Sequence, residues 1–212
     1  MSSQPGPPPP LGAEVEAGVA RNGDVHIAWR THGRGQPVLM IMGFLGTGHA
    51  WFRLLPHLAA TRQAIVFDNR GTGDSDRAPG LWSMEALAGD AVAVLDAIGV
   101  EAAHVVGASM GGMIAQQLAL DHPTRVRSLT LACTHPGRLG GRPRPLPWRL
   151  AAAIALRPVL GTRRTFPLVA PLLYSDRTLE HGRDRLRHDL ELRVRDATPL
   201  LTAVGQLAAI AG

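Results

Sequence analysis

Apolar residues follow two spacings along this chain. Short apolar runs at residues 38–42, 64–67, 103–106 and 126–133 read as strands, the first of them apolar on both faces. Between them, helix-like spacing covers residues 49–60, 83–98 and 113–120, with Gly99 placed to stop the second helix. Residues 15–20 and 25–31 read as an opening hairpin turned at Asn22-Gly23. Strands that alternate with helices imply parallel crossovers and a sheet covered on both faces. The fold class predicted is therefore α/β, a mostly parallel sheet with flanking helices.

The pattern changes near residue 137. Residues 139–147 are rich in Gly, Pro and Arg and read as a linker. Helix-like segments follow at about 148–156, 166–174, 178–195 and 199–210. At the other end, Ser2 to Pro10 is a proline-rich stretch expected to be extended or disordered. The organisation predicted is a tail over 1–12, an α/β core over 13–136 and a helical segment over 137–212.

The chemistry concentrates at Gly107-Ala108-Ser109-Met110-Gly111, between the apolar run 103–106 and the helix that follows. A G-x-S-x-G set at a strand-to-helix turn is a nucleophile elbow. The turn is tight enough to require small residues on both sides of the serine. A plain helix N-cap is the alternative role for Ser109, since serine is a favoured capping residue.

Three stretches together resemble the α/β-hydrolase fold superfamily, of the esterase, lactonase and haloperoxidase-like type. They are the glycine turn at Gly43-Phe44, the loop Asp68-Asn69-Arg70-Gly71-Thr72-Gly73-Asp74-Ser75, and the segment from Val105 to Ala132 that contains the elbow. The resemblance covers about residues 14–136. It departs from the family at Met42-Gly43-Phe44, where many members have His-Gly before the equivalent of Phe44.

The resemblance implies a hydrolase acting on a small-molecule ester, lactone or related acyl bond, with Ser109 as nucleophile. The backbone N–H groups of Met110 and Phe44 would form the oxyanion hole. Their side chains are expected to pack and to line the pocket, whose shape depends on how cap residues such as Trp148, Phe166 and Tyr174 pack. Haloperoxidase-like or C–C hydrolase chemistry uses the same elbow, and a non-catalytic binding protein on this scaffold is a further alternative. Dehalogenase and epoxide-hydrolase chemistry is disfavoured, because those enzymes carry Asp where this chain has Ser109.

In this family the triad acid and histidine follow the serine. His122, His135, His181 and His188 are the histidines downstream of Ser109. His122 closes the helix after the elbow, and His181 and His188 lie in a charged, solvated-looking segment. Only His135, just after the strand 126–133, would share the rim with Ser109 as a substitute base. The expectation is that the usual acid and histidine are absent from these 212 residues, and that this chain alone turns over little ester. By resemblance the full sheet has eight strands, of which the chain supplies about six. Residues 126–131 would then form an exposed edge that favours aggregation.

Composition narrows the alternatives. All 22 basic residues are Arg, which excludes a P-loop lysine and a Schiff-base lysine. The single cysteine excludes an internal disulfide and, with scattered histidines, argues against a zinc site. Cys133, at a strand end, is expected to be a small core residue. No cofactor or metal is expected. The loop 68–76 lacks the ligand spacing of a calcium loop and reads as a structural turn. No signal-peptide pattern is present, and residues 151–156 are too short an apolar run to span a bilayer, so a cytoplasmic protein with no membrane partner is expected. Residues 1–136 hold nine arginines against eleven acids, and residues 137–212 thirteen against six. The resemblance makes residues 137–212 a helical cap, and its basic charge suits a solvated surface or the steering of acidic substrates. No recognition motif accompanies the arginines, so nucleic acid is not an expected partner.

Overall fold

A computed structural model describes residues 14–78, 80–137, 147–195 and 198–211. The tail 1–12 and nearly all of the linker 139–147 fall outside the described residues. Among the described residues, six strands form one mixed sheet: β1 (Glu14–Asn22), β2 (Val25–His32), β3 (Pro37–Ile41), β4 (Gln63–Phe67), β5 (Ala103–Ala108) and β6 (Val126–Ala132), in the order β1-β2-β4-β3-β5-β6. β1, β2 and β4 pair antiparallel, whereas β4, β3, β5 and β6 run parallel. Asn22 pairs with Val25, so the hairpin turns at Gly23-Asp24, one residue later than the sequence suggested.

The period-two alternation of strand side chains builds two cores. Leu39, Ile41, Ile65, Phe67 and Val105 point to one face. There they pack beneath α2 (Met84–Ile98) and α3 (Met110–Asp121), against Leu87, Leu95, Ile114 and Leu118. Val38, Met40, Ala64 and Val66 point to the other face and meet Trp51 and Leu55. Trp51 ends a short 3-10 turn over Gly48–Trp51, and Leu55 opens α1 (Leu55–Ala59). The continuous helix expected over 49–60 is thus two pieces. Pro56 sits in the first turn of α1, where a missing N–H is tolerated, and cannot serve the interior of a longer helix. For α2 the expected boundaries agree with its caps. The Ser83 hydroxyl accepts from the Ala86 N–H at 3.3 Å, and Gly99 closes the helix at φ 73°.

Cys133 corrects an expectation. It is exposed, at φ 44°, because burial here follows strand order and β6 is the last strand of the described sheet. Leu129 and Leu131 on β6 are exposed as well.

After the core come α4 (Trp148–Leu173), α5 (Asp176–His181), α6 (Arg183–Arg195) and α7 (Leu200–Ala211), in the position of a helical cap. Two helices expected over 148–156 and 166–174 join as α4 across a kink at Gly161, whose φ of 76° and ψ of 167° are non-helical. The single helix expected over 178–195 is divided at Gly182 into α5 and α6.

The loop after β4 ties these layers together. The Arg70 guanidinium donates to both Asp90 oxygens on α2, at 2.6 and 2.5 Å, and Asn22 donates to the same carboxylate at 2.9 Å. Both charged groups are buried. Asp90→Ala would strand a buried guanidinium, and a loss of about 3 kcal/mol in denaturant unfolding is expected. Farther along, Asp76 accepts the His26 backbone N–H at 2.9 Å and faces its ring nitrogen at 2.7 Å. The backbone hydrogen bond, then the ring contact, hold the Asp76 carboxyl below its ordinary value. A depressed carboxyl stabilises the fold above the ordinary carboxylate range and loses that contribution as pH falls through the lowered value. The difference in melting temperature between the protein and its Asp76→Asn variant is therefore expected at neutral pH and should shrink below about pH 4.

Candidate active site

β3 and β5 are neighbours, yet their following connections diverge: β3 leads to α1 and β4 on one side, β5 to α3 and β6 on the other. Such a reversal opens a crevice beyond the carboxyl ends of the strands, where ligands bind in open α/β sheets. Ser109 lies at that point, between β5 and α3. Its backbone has φ 54° and ψ −123°, a conformation seldom adopted by a residue with a side chain, and the residue is exposed. The environment holds it there. Its N–H donates to the Ala132 carbonyl at 2.9 Å, and its carbonyl accepts from the Gly112 N–H at 2.9 Å and the Thr134 hydroxyl at 2.7 Å. Every described hydrogen bond of Ser109 uses its backbone, and the residue is open to solvent.

The flanking glycines are required by space. A Cβ on Gly107 would lie 2.5 Å from the Gly111 carbonyl oxygen, and one on Gly111 would lie 2.1 Å from the Ile41 carbonyl oxygen. The helix therefore starts in direct contact with both strands. The loop after β3 touches the same point: a Cβ on Gly43 would come within 2.9 Å of the Ala108 oxygen and of the Ser109 Cβ. That loop is a tight turn closed by the Gly46 N–H on the Gly43 carbonyl at 3.0 Å, with Leu45 at φ 57°. Asn69 braces its start by donating to the Met42 carbonyl at 2.8 Å.

Met110 is the first residue of α3, where helix geometry leaves the N–H without an intrahelical partner. Its side chain is buried in the main core, and Phe44 packs partly buried against that same core. Both side chains thus pack, as expected of them. Phe166 is buried, with its ring 6.2 Å from that of Tyr174, whose hydroxyl donates to Asp189. Trp148 instead points outward, 69% exposed.

His135 follows β6, next to the Thr134 that braces the elbow. Its Nδ1 lies 3.1 Å from both the N–H and the carbonyl of Gly137, and its own carbonyl accepts from Gln116. Among the described residues, no carboxylate orients this imidazole and no side chain hydrogen-bonds the Ser109 hydroxyl. His181 is three-quarters exposed, while His188 stacks at a tilt on Phe52, 5.0 Å between centroids. The Asp68 carboxylate is consumed structurally, accepting the Gly48 and Asp74 N–H groups at 2.8 and 3.0 Å.

Sequence reasoning missed three residues that shape the crevice: Asn69, Thr134 and Gln206. Gln206, on α7, accepts the Leu45 N–H at 2.8 Å across 161 positions of sequence. No local pattern signals such a contact.

A model of the alpha/beta hydrolase fold matches residues 36–198. The chain belongs to the alpha/beta hydrolase fold family. It is 45% identical over 112 residues to a protein of Azorhizobium caulinodans provisionally named carbamate hydrolase RutD, a stretch covering 53% of this chain and 42% of that one. Among solved structures, Est816, described as an N-acyl homoserine lactone degrading enzyme, superposes with a TM-score of 0.70 at 30% identity, covering 91% of this chain and 70% of that one. A hydrolase from Pseudomonas aeruginosa superposes with a TM-score of 0.77 at 24% identity, over 93% of this chain and 73% of its own. The chain spans less than half the length of the curated relatives it matches. No described helix of this chain is long and apolar enough to cross a membrane.

Proposed function

We propose that this protein is a serine hydrolase that cleaves a small-molecule ester, lactone or related acyl bond through an acyl-Ser109 intermediate. One observation carries the reading: Ser109 is held at positive φ on a rigid strand-to-helix elbow, open to solvent and against the loop that bears Phe44. A binding protein has no use for a strained serine in that place. In this reading the Met110 and Phe44 N–H groups receive the negative oxygen of the tetrahedral intermediate, aided by the positive end of α3. Water then attacks the acyl-enzyme.

A serine hydroxyl needs a base to accept its proton. No described histidine hydrogen-bonds Ser109, so the proposal assigns the triad acid and histidine to sequence beyond these 212 residues. The intact mass of the protein isolated from its source tests this. The 212 residues amount to 22.5 kDa, and two further strand-helix units of about 30 residues each would add roughly 7 kDa. A mass near that larger value is expected, together with stoichiometric labelling of Ser109 by a fluorophosphonate. A mass of 22.5 kDa with labelled Ser109 would shift the base to His135. An unlabelled Ser109 would overturn the hydrolase reading.

A further inference from the structure

The helix α7 grips the loop that bears Phe44. Leu45, the next residue, has both backbone groups engaged from this side. Its N–H donates to Gln206 Oε1 at 2.8 Å, and its carbonyl accepts from the Thr198 hydroxyl at 3.4 Å. One turn before Gln206, the Thr202 hydroxyl donates to the Gly71 carbonyl at 2.9 Å, docking the same helix on the loop after β4. Gln206 has no solvent exposure, an unusual place for an amide unless it has a task. Among the described residues its Nε2 has no hydrogen-bond partner, so the polar anchoring of this amide comes through its oxygen. Leu45 itself sits at φ 57°, a conformation that a leucine keeps only when its surroundings impose it.

We infer that Gln206 is a positioning residue through which α7 sets the Phe44 N–H for oxyanion binding. The inference rests on the acyl-Ser109 reading above. The physical link is short. Fixing the Leu45 N–H fixes the peptide that follows Phe44, and with it the direction of the turn between Gly43 and Gly46. An oxyanion donor works only when held in place before the charge develops. Docking of α7 and completion of the oxyanion hole are then one event.

Three variants of the full-length protein test this: Gln206→Leu, Gln206→Glu and Thr202→Val. Leucine removes the acceptor, glutamate keeps an oxygen at the same reach, and Thr202→Val loosens α7 without touching Leu45. The first readout is amide hydrogen exchange at Leu45, which needs no turnover. Gln206→Leu is expected to speed it at least about tenfold and Thr202→Val, which only loosens α7, by a smaller factor, whereas Gln206→Glu leaves it near the parent rate. The second readout is hydrolysis of a short-chain p-nitrophenyl ester. Gln206→Leu should lower kcat about tenfold with little change in KM, the pattern of an interaction made in the transition state, and Gln206→Glu should recover most of it. Unchanged Leu45 exchange in Gln206→Leu overturns the inference, as does faster exchange with an unaltered kcat. A rise in KM shared equally by Gln206→Leu and Thr202→Val also overturns it, since that marks simple loosening of the cap. Ser109→Ala is run alongside. If Ser109→Ala retains full activity, the hydrolase reading itself has failed. If Ser109→Ala is inactive while Gln206→Leu matches the parent, only the role of Gln206 has failed.

Discussion

Ser109→Ala in the full-length protein is expected to reduce hydrolysis of a short-chain p-nitrophenyl ester at least about a thousandfold, with residual rate from the oxyanion donors alone. The fold should be indifferent to the change, because Ser109 is braced through its backbone N–H and carbonyl, which alanine retains. Ser109→Gly gives the complementary result. A side chain at φ 54° and ψ −123° costs on the order of 1–3 kcal/mol, and glycine removes that strain. Glycine also gives up about 0.5–1 kcal/mol through its freer unfolded chain. The glycine variant should therefore be as inactive as the alanine variant and more stable than it, by about 1 kcal/mol in urea unfolding. Opposite signs for activity and stability at one residue mark a conformation kept for chemistry. A glycine variant less stable than the alanine one would show that the elbow is not strained.

The legible part of this protein is the part built from local rules. The elbow could be read because a strand, a small-residue turn and a helix are consecutive in sequence. The Ser83 and Gly99 boundaries of α2 could be read because a cap needs only its own neighbours. What escaped reading depends on which element lies beside which. The alternation of strands and helices implies parallel crossovers but not that β5 sits next to β3, the adjacency that opens the crevice. Cys133 looked like a core residue because its strand is apolar; its exposure follows from the place of β6 in the strand order. Gln206 lies in a segment that reads only as an amphipathic helix, and its bond to Leu45 exists only after the chain has folded back over the loops.

Gly111→Ala is expected to be the most damaging single methyl addition in the core, costing at least about 4 kcal/mol. The new Cβ would lie 2.1 Å from the Ile41 carbonyl oxygen, 2.6 Å from its carbon and 2.7 Å from the Met42 carbonyl oxygen. All three atoms belong to backbone. Ile41 ends β3, which is hydrogen-bonded to β4 on one side and β5 on the other, so it cannot retreat without breaking the centre of the sheet. The helix α3 would have to lift instead, uncovering Ile114 and Leu118. Since a domain holds only about 5–15 kcal/mol of net stability, such a loss approaches unfolding. Two other glycines grade the effect. A Cβ on Gly112 would meet the side chain of Thr134, at 2.6 Å from its Cβ and 2.7 Å from its hydroxyl. Rotation about χ1 leaves the Thr134 Cβ in place, so the segment that follows β6 must shift, at the cost of the Thr134 bond to the Ser109 carbonyl, and Gly112→Ala should cost about 2 kcal/mol. Gly23, in the hairpin turn at φ 60°, has nothing within 4 Å, and only backbone strain of about 1 kcal/mol applies to its alanine variant. Denaturant unfolding of the three variants should rank them Gly111, Gly112, Gly23. Equal losses at Gly111 and Gly112 would mean that α3 docks on β3 softly enough to yield. The elbow would then lack the rigid seat that a preorganised nucleophile requires.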